Sequence, residues 1–233
     1  MTEYLLFIDT ETSGLPKKWN KPYDVQGNWP FAIQIAWLVY TNNGELVEER
    51  NFYIQHESIC IEPLAQKIHG ITKEFLTKNG VAKEEVLVLL AKHIETYQPL
   101  VIGHFLELDF HVLNAEYFRA GMQSPFMSRK HFCTMLGTKH LVRNPAHNYL
   151  RVDDLYVILF SQVLQHQHNA LVDAKATGEC FFKLRQRGDI TESNIRSQPN
   201  LKEPILIKKK KNVSLFALII VTLIFVIYLW MYE

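Results

Sequence analysis

Five side chains carry the chemistry this sequence can offer. Asp9 and Glu11 lie in "FIDTETSGL", Asp109 in "GHFLELDFHVL", and His168 and Asp173 in "HQHNALVDAKATGE". On a strand, side chains at i and i+2 face the same way, so Asp9 and Glu11 project together at the end of an apolar run. Two like charges held side by side away from water are costly unless something cationic sits between them. Alternatively, the strand frays at Thr10 and the two acids are solvated beside the following loop. Asp109 falls just after a predicted strand and near the start of a helix. Asp173 falls in the first turn of the last long helix, five residues after His168. Acids in a first helical turn also serve ordinary dipole chemistry. A lone histidine ordinarily packs or is solvated, and "HQH" offers His166 as a second imidazole.

The elements that must position these groups follow from hydrophobic pattern. "EYLLFID" is a short apolar run ending in an acid, a first buried strand. "LPKKWNKPYDVQGNWP" has three prolines, one glycine and no period, and is expected to be a long loop. "FAIQIAWLVYT" and "ELVEERNFYIQ" flank "NNG", a hairpin signal. In "VAKEEVLVLLAKHIETY", Val86, Leu89, Leu90, Ile94 and Tyr97 recur at helical spacing, and Pro99 ends the helix. "LVIGH" is a short strand, "ELDFHVLNAEYFRAG" a helix closed by Gly121, and "HFCTM" a short strand leading into a helix. "VDDLYVILF" and "ALVDAKATGECFFKLRQR" are two more helices, the last ended by Gly188. Three strands followed by alternating helices and short strands describe an α/β layout with a mixed sheet.

Taken together, D-x-E at the end of the first strand, a third acid about a hundred residues on, and H-x-A-x-x-D on the last helix resemble the DEDDh (DnaQ-like) 3′–5′ exonuclease family. The resemblance spans roughly residues 4–187 and includes "IHGIT" at 68–72, "FCTM" at 132–135 and "VDDL" at 152–155. It implies an RNase H-like fold, a five-stranded mixed sheet flanked by helices, with the second strand antiparallel to the rest. It also implies that Asp9, Glu11, Asp109 and Asp173 hold two divalent metal ions, Mg²⁺ or Mn²⁺. Hard cations prefer oxygen ligands, and four carboxylates balance two divalent charges. His168 is then the general base, because imidazole titrates near working pH. The family variant with a catalytic tyrosine would need Tyr at position 169, where this chain has Asn169. Many members read G-H-N-x-x-F-D around the third acid, whereas here Phe105 and Leu108 replace the asparagine and the phenylalanine.

The implied substrate is a nucleic acid 3′ end. Thr12, Ser13 and Gly14 follow the acids and are expected to lie near the terminal nucleotide, with glycine permitting close backbone approach. Trp19, Tyr23 and Trp29 could stack on a base or cover the sheet edge, and covering is the commoner use of large aromatics. The whole chain has a formal charge of +1, but residues 1–200 hold 20 basic and 22 acidic residues and stand at −2. Bulk charge therefore excludes a strongly basic duplex binder and favours single-stranded DNA or RNA ends. A non-catalytic nucleic-acid-binding or scaffold protein on the same fold would ordinarily have lost one of the acids.

Cys60, Cys133 and Cys180 are scattered and odd in number, which argues against a disulfide framework and a structural zinc site. The N-terminus carries an acid and no basic n-region, so a first strand is expected there and not a signal peptide. Residues 1–188 are expected to form the exonuclease domain and 189–212 a polar, basic linker. Residues 213–232 contain no charge and are long enough, at ~1.5 Å per residue, to span a ~30 Å bilayer core. Lys208 to Lys211 flank this run on one side and Tyr228, Trp230 and Tyr232 cluster on the other. The expectation is a single-pass membrane protein anchored by its C-terminus, with the catalytic domain in the cytoplasm.

Overall fold

β1 (Tyr4–Thr12) is apolar on both faces from Leu5 to Ile8, the pattern of a central strand covered on two sides. The computed structural model, which describes residues 3–143 and 148–204, places it in the middle of a five-stranded sheet. β2 (Ala32–Thr41) and β3 (Leu46–Tyr53) follow, then α1 (Pro63–His69), α2 (Lys73–Asn79) and α3 (Lys83–Tyr97). β4 (Leu100–Gly103), α4 (Leu106–Arg119), β5 (His131–Cys133) and α5 (Thr134–Gly137) come next. α6 (Val152–Phe160), α7 (Ala170–Arg187) and α8 (Glu192–Ser197) complete the described chain. The sheet order is β3-β2-β1-β4-β5. β2 runs antiparallel to both neighbours, while β1, β4 and β5 are parallel, the mixed sheet the resemblance implied. β3 is an edge strand whose "EER" charges discourage further pairing.

Alternation along β1 divides the core. Leu6 and Ile8 face α3 and α4 with Trp37, Leu90 and Phe110. Leu5 and Phe7 face α6, α7 and α8 with Phe132, Leu155 and Phe181. Asp9 and Glu11 continue the Leu5–Phe7 row, so the period of two carries both acids to the α7 side. β4 pairs with β1 only from Leu5 to Phe7. β1 therefore extends past the end of its parallel neighbour, and the two faces of the sheet communicate beside residues 9–12. That place is at the carboxyl ends of parallel strands, where chain connections leave in opposite directions, the usual ligand site of an open α/β sheet.

Three elements depart from the sequence expectation. α1 and α2 occupy a stretch in which no helix was anticipated, because each is only seven residues long and hardly buried. They are joined by Gly70 in the left-handed region (φ 71°) and Thr72, whose hydroxyl caps α2 by accepting from Phe75 N. The stretch from Asp189, expected to be an aperiodic linker, instead contains α8. Thr191 and Asn194 form a reciprocal capping box, and Ile190 and Ile195 are buried under the Phe181 side of the sheet. Gln198 then exchanges hydrogen bonds with the Cys133 backbone. A six-residue helix fixed by its cap and two isoleucines leaves too short a pattern for periodicity to reveal. Among the described residues no helix is long and apolar enough to cross a membrane, and the 213–232 run lies outside them. All three cysteines are free thiols.

Candidate metal and active site

Asp173 reaches the acid pair through helix register. Phe181 of α7 packs edge-on against Phe7 with ring centroids 5.5 Å apart. Eight residues toward the helix N-terminus is Asp173, ~12 Å along the axis. Four residues along β1 from Phe7 is Glu11, ~13 Å away, so Asp173 arrives level with Asp9 and Glu11. The start of α7 is pinned by a buried amide on β2. Gln34 Oε1 accepts from Ala170 N at 3.2 Å, and Gln34 Nε2 donates to Asn51 and to Asn169. Asn169 in turn caps α7, accepting from Leu171 N and Val172 N.

The result is a carboxylate cluster. One oxygen each from Asp9, Glu11 and Asp173 lie within 4.8 Å of one another. Asp109 arrives from the other face of the sheet. Gly103 lets α4 leave β4 tightly, since a Cβ there would lie 2.8 Å from Leu106 Cδ1 and 3.2 Å from Ile8 O. Asp109 then lines the same cleft, but its Oδ1 accepts from Thr10 N at 2.9 Å and Thr10 Oγ1 at 2.7 Å. Thr10 sits between the two strand acids, so its hydrogen bonds fix the fourth carboxylate beside the other three without joining it to the cluster.

Electrostatics shows what such a cluster needs. Burial, followed by the charges of Asp109, Asp173 and Glu11, pushes the Asp9 carboxyl well above its ordinary value. Burial and then the charges of Asp173 and Asp109 push Glu11 up to about 8. Burial also raises Asp173, partly opposed by the hydrogen bond from His168 N. Asp173 Oδ1 is buried and has no hydrogen-bond partner. Oxygen donors of one sign, crowded together with one of them orphaned, fit a divalent cation. They fit an uncompensated structural role poorly.

This arrangement sets a pH dependence. The folded carboxyls titrate above their unfolded values, so between those values the folded state holds more protons and stability falls as pH rises. Between pH ~7 and ~8.5, above the ordinary histidine range, EDTA-treated protein is expected to lose melting temperature. Glu11→Gln should show a shallower decline, and Mn²⁺ should raise the wild-type melting temperature more at the higher pH. Thermal melts across this range test it; identical slopes for wild type and Glu11→Gln would contradict the cluster.

His168 and His166 are separated by position. His168 lines the cleft, and its backbone N–H donates to Asp173 Oδ2 at 3.0 Å. His166 is exposed and does not line it. His168 Nε2 lies 3.2 Å from Arg151 Nη2, which donates to it, and Arg151 is also paired with Asp153. Burial first, then the Arg151 charge, lowers the His168 pKa against the opposing charge of Asp153, and the Arg151 N–H takes the lone pair of Nε2. Both His166 (φ 56°) and His168 (φ 63°) occupy the left-handed region, a local strain concentrated on this loop.

Of the three residues expected near a terminal nucleotide, Thr12 and Gly14 line a groove of about 220 Å³ that adjoins the acids and is walled by Leu15, Leu64 and Ile68. A Cβ on Gly14 would displace the Glu62 carboxylate. Ser13 does not line the groove; its hydroxyl accepts from Phe31 N, and its backbone pairs with Phe31 and Glu62. The hydroxyl of Thr12 is likewise engaged, donating to Gly14 O.

Residues that spacing did not single out complete the cleft of about 400 Å³. Arg151, the last residue of the loop before α6, and Asp153, in the first turn of α6, line it. His104 fixes that loop by hydrogen bonding through Nε2 to Leu150 O at 2.9 Å. The adjacent glycine and histidine of "GHFLELD" were a signal for His104. Nothing in "LRVDD" distinguished Arg151 from a surface arginine.

The RNase_T family, described as "Exonuclease", matches residues 6–181. The chain is 27% identical over 187 residues to "DNA polymerase III PolC-type" of Latilactobacillus sakei, covering 79% of this chain and 11% of that protein. It is 24% identical over 207 residues to "DNA polymerase III subunit epsilon" of Buchnera aphidicola, covering 86% of this chain and 83% of that protein. Among solved structures, Escherichia coli Exonuclease I in complex with a dT13 oligonucleotide superposes with a TM-score of 0.63 at 17% identity, over 79% of this chain and 42% of that one. The complex with dA16 gives 0.66 at 16% identity, over 83% and 42%. The chain thus spans about a tenth of the PolC-type relative and about two fifths of the Exonuclease I structures, and the structural likeness is one of fold.

Proposed function

We propose that this chain, which belongs to the RNase_T exonuclease family, is a metal-dependent 3′–5′ exonuclease that hydrolyses single-stranded DNA or RNA ends to nucleoside 5′-monophosphates. One observation carries the reading: the Asp9, Glu11 and Asp173 carboxylates converge within 4.8 Å, and His168 lines the same cleft. Asp9, Glu11 and Asp173, with Asp109 beside them, are the residues that would hold the two divalent ions of the family. Bound there, divalent ions supply positive charge where negative charge develops in phosphoryl displacement.

The chain's own residues do the rest. His168, neutral with its lone pair on Nε2, takes the proton of the attacking water. Arg151 occupies that nitrogen in the observed arrangement. Its side chain is 62% exposed, so it is free to swing toward a substrate phosphate and leave Nε2 to water. Asp173 orients His168 through the backbone N–H. Thr10 holds Asp109 against the strand that carries the other acids. The E. coli Exonuclease I complexes contain single-stranded oligonucleotides, and the net charge of −2 over residues 1–200 supports the same substrate class here.

The reading extends to location. Residues 213–232 are uncharged and follow four lysines, which supports a single membrane span with the basic flank and the nuclease domain in the cytoplasm. The lysines would add attraction to anionic lipid of ~1 kcal/mol each. The tether between domain and span begins after Leu201, which packs on the core, and not at Asp189. Full-length protein and a chain ending at Leu201 are both expected to release 5′-monophosphates from labelled oligonucleotides with Mn²⁺ and to stop with EDTA. Only the full-length protein should resist carbonate extraction from membranes. Absence of Mn²⁺-dependent release from both would refute the enzyme reading; a readily extracted full-length protein would refute the anchor.

A further inference from the structure

We propose that Trp19 and Phe105 form a stacking subsite for a nucleobase of the strand leaving the catalytic cleft, and that Lys17, Lys18 and Lys21 hold its phosphates. The proposal rests on the exonuclease reading and adds to it where the polymer, beyond its terminal nucleotide, is gripped.

The 16–30 loop uses its three large aromatics in two ways. Trp29 is 2% exposed, donates its indole N–H to Lys21 O and stacks on His111 at 4.9 Å. The Tyr23 hydroxyl hydrogen-bonds with His111 Nδ1 at 2.9 Å. These two rings cover α4. Trp19 rests edge-on against Trp29 at 6.1 Å and remains 38% exposed, with Phe105 at 5.7 Å. Phe105 lines the catalytic cleft, so this pair is continuous with the site where the acids converge.

Phe105 is an unexpected residue for its backbone. It precedes α4 with φ 65° and ψ 38°, the left-handed region that glycine and asparagine tolerate and a bulky ring does not favour. Such strain at a cleft rim is evidence that the ring itself is used. The surroundings are stiff. The Asn28 side chain accepts from Lys18 N and donates to Lys18 O, which fixes the backbone before Trp19. Arg119 donates to Trp29 O and Pro30 O and is paired with the buried Glu116, which accepts from Ala32 N. A ring held this way loses little freedom when a base stacks on it.

The local charge suits the same occupant. Lys17, Lys18 and Lys21 are exposed around Trp19, in a protein body that is otherwise slightly acidic. Exposed aromatic surface flanked by cations is the composition of a single-strand track, in which stacking is tolerant of sequence and lysines follow the backbone.

The test compares two substrates: an oligothymidylate long enough to leave the cleft, and the p-nitrophenyl ester of thymidine 5′-monophosphate, a single nucleotide. Trp19→Ala and Phe105→Asn should each raise KM for the oligonucleotide about 5- to 150-fold relative to KM for the ester, the range expected from one lost stack. Trp19→Phe should recover most of the loss. A second measurement needs no turnover: in EDTA, oligothymidylate should quench the tryptophan fluorescence of wild type and quench Trp19→Phe markedly less. An unchanged KM ratio in both alanine and asparagine variants, or equal loss on both substrates, would overturn the proposal. If the wild type hydrolyses neither substrate, the exonuclease reading fails instead, and the quenching experiment still decides whether Trp19 binds a strand.

Discussion

Asp9→Asn, Glu11→Gln, Asp109→Asn and Asp173→Asn are each expected to lower hydrolysis of a 3′ end by at least about a hundredfold, since disturbing even the support of a metal ligand costs 10–100-fold. The geometry predicts loss of function without loss of fold. Burial raises the pKa of Asp9, Glu11 and Asp173, and the charges of neighbouring acids add to it at Asp9 and Glu11, so amides at these positions relieve buried like charge. Asp109→Asn retains an oxygen that can accept both Thr10 hydrogen bonds. Melting temperatures in EDTA near pH 8 should therefore hold or rise in the cluster variants while activity disappears. Turnover of a labelled oligonucleotide with saturating Mn²⁺ is the direct measurement. More than about a tenth of wild-type activity in two of these variants, judged against the same metal-site scale, would end the four-acid assignment.

His168→Ala should reduce turnover by ~10²–10⁴, the usual worth of a general base, while His166→Ala should stay within about threefold of wild type. Both imidazoles lie on one loop and both backbones are left-handed, so a backbone effect would strike them alike. Only His168 lines the cleft and binds Asp173 through its N–H. Because alanine dislikes positive φ, His168→Asn is the sharper probe: it suits the backbone and removes the base. Single-turnover rates separate the cases. Equal losses at the two histidines would mean that the loop, and not the His168 ring, is what matters.

Much of this site was legible from spacing because its parts are local. The period of two along "IDTE" put Asp9 and Glu11 on one face, and the helix beginning at Ala170 put Asp173 in a first turn five residues past His168. The long strands and helices were equally legible, since Val86, Leu90 and Ile94 repeat on one face of a fifteen-residue helix. α1, α2 and α8 escaped because a helix of six or seven residues shows barely two turns of pattern. The tail from residue 205 onward was read from composition alone and lies outside the described structure.

By itself, then, the sequence determined which acids and which imidazole are available, their order, and the strand and helix ends that carry them. Tertiary structure decided how they are used. Asp109 turns to Thr10, ninety-nine residues away, because β4 stops short of β1 and lets α4 bring its first turn through the gap. Arg151 meets His168 because His104 ties Leu150 to the end of β4. Trp29 is buried and Trp19 is half exposed, although both sit in one aromatic loop, because Trp29 stacks on His111 of α4 while Trp19 meets that ring only edge-on from outside. Each outcome turns on partners distant in the chain, whose meeting is set by strand length and helix packing rather than by any pattern within the segments themselves.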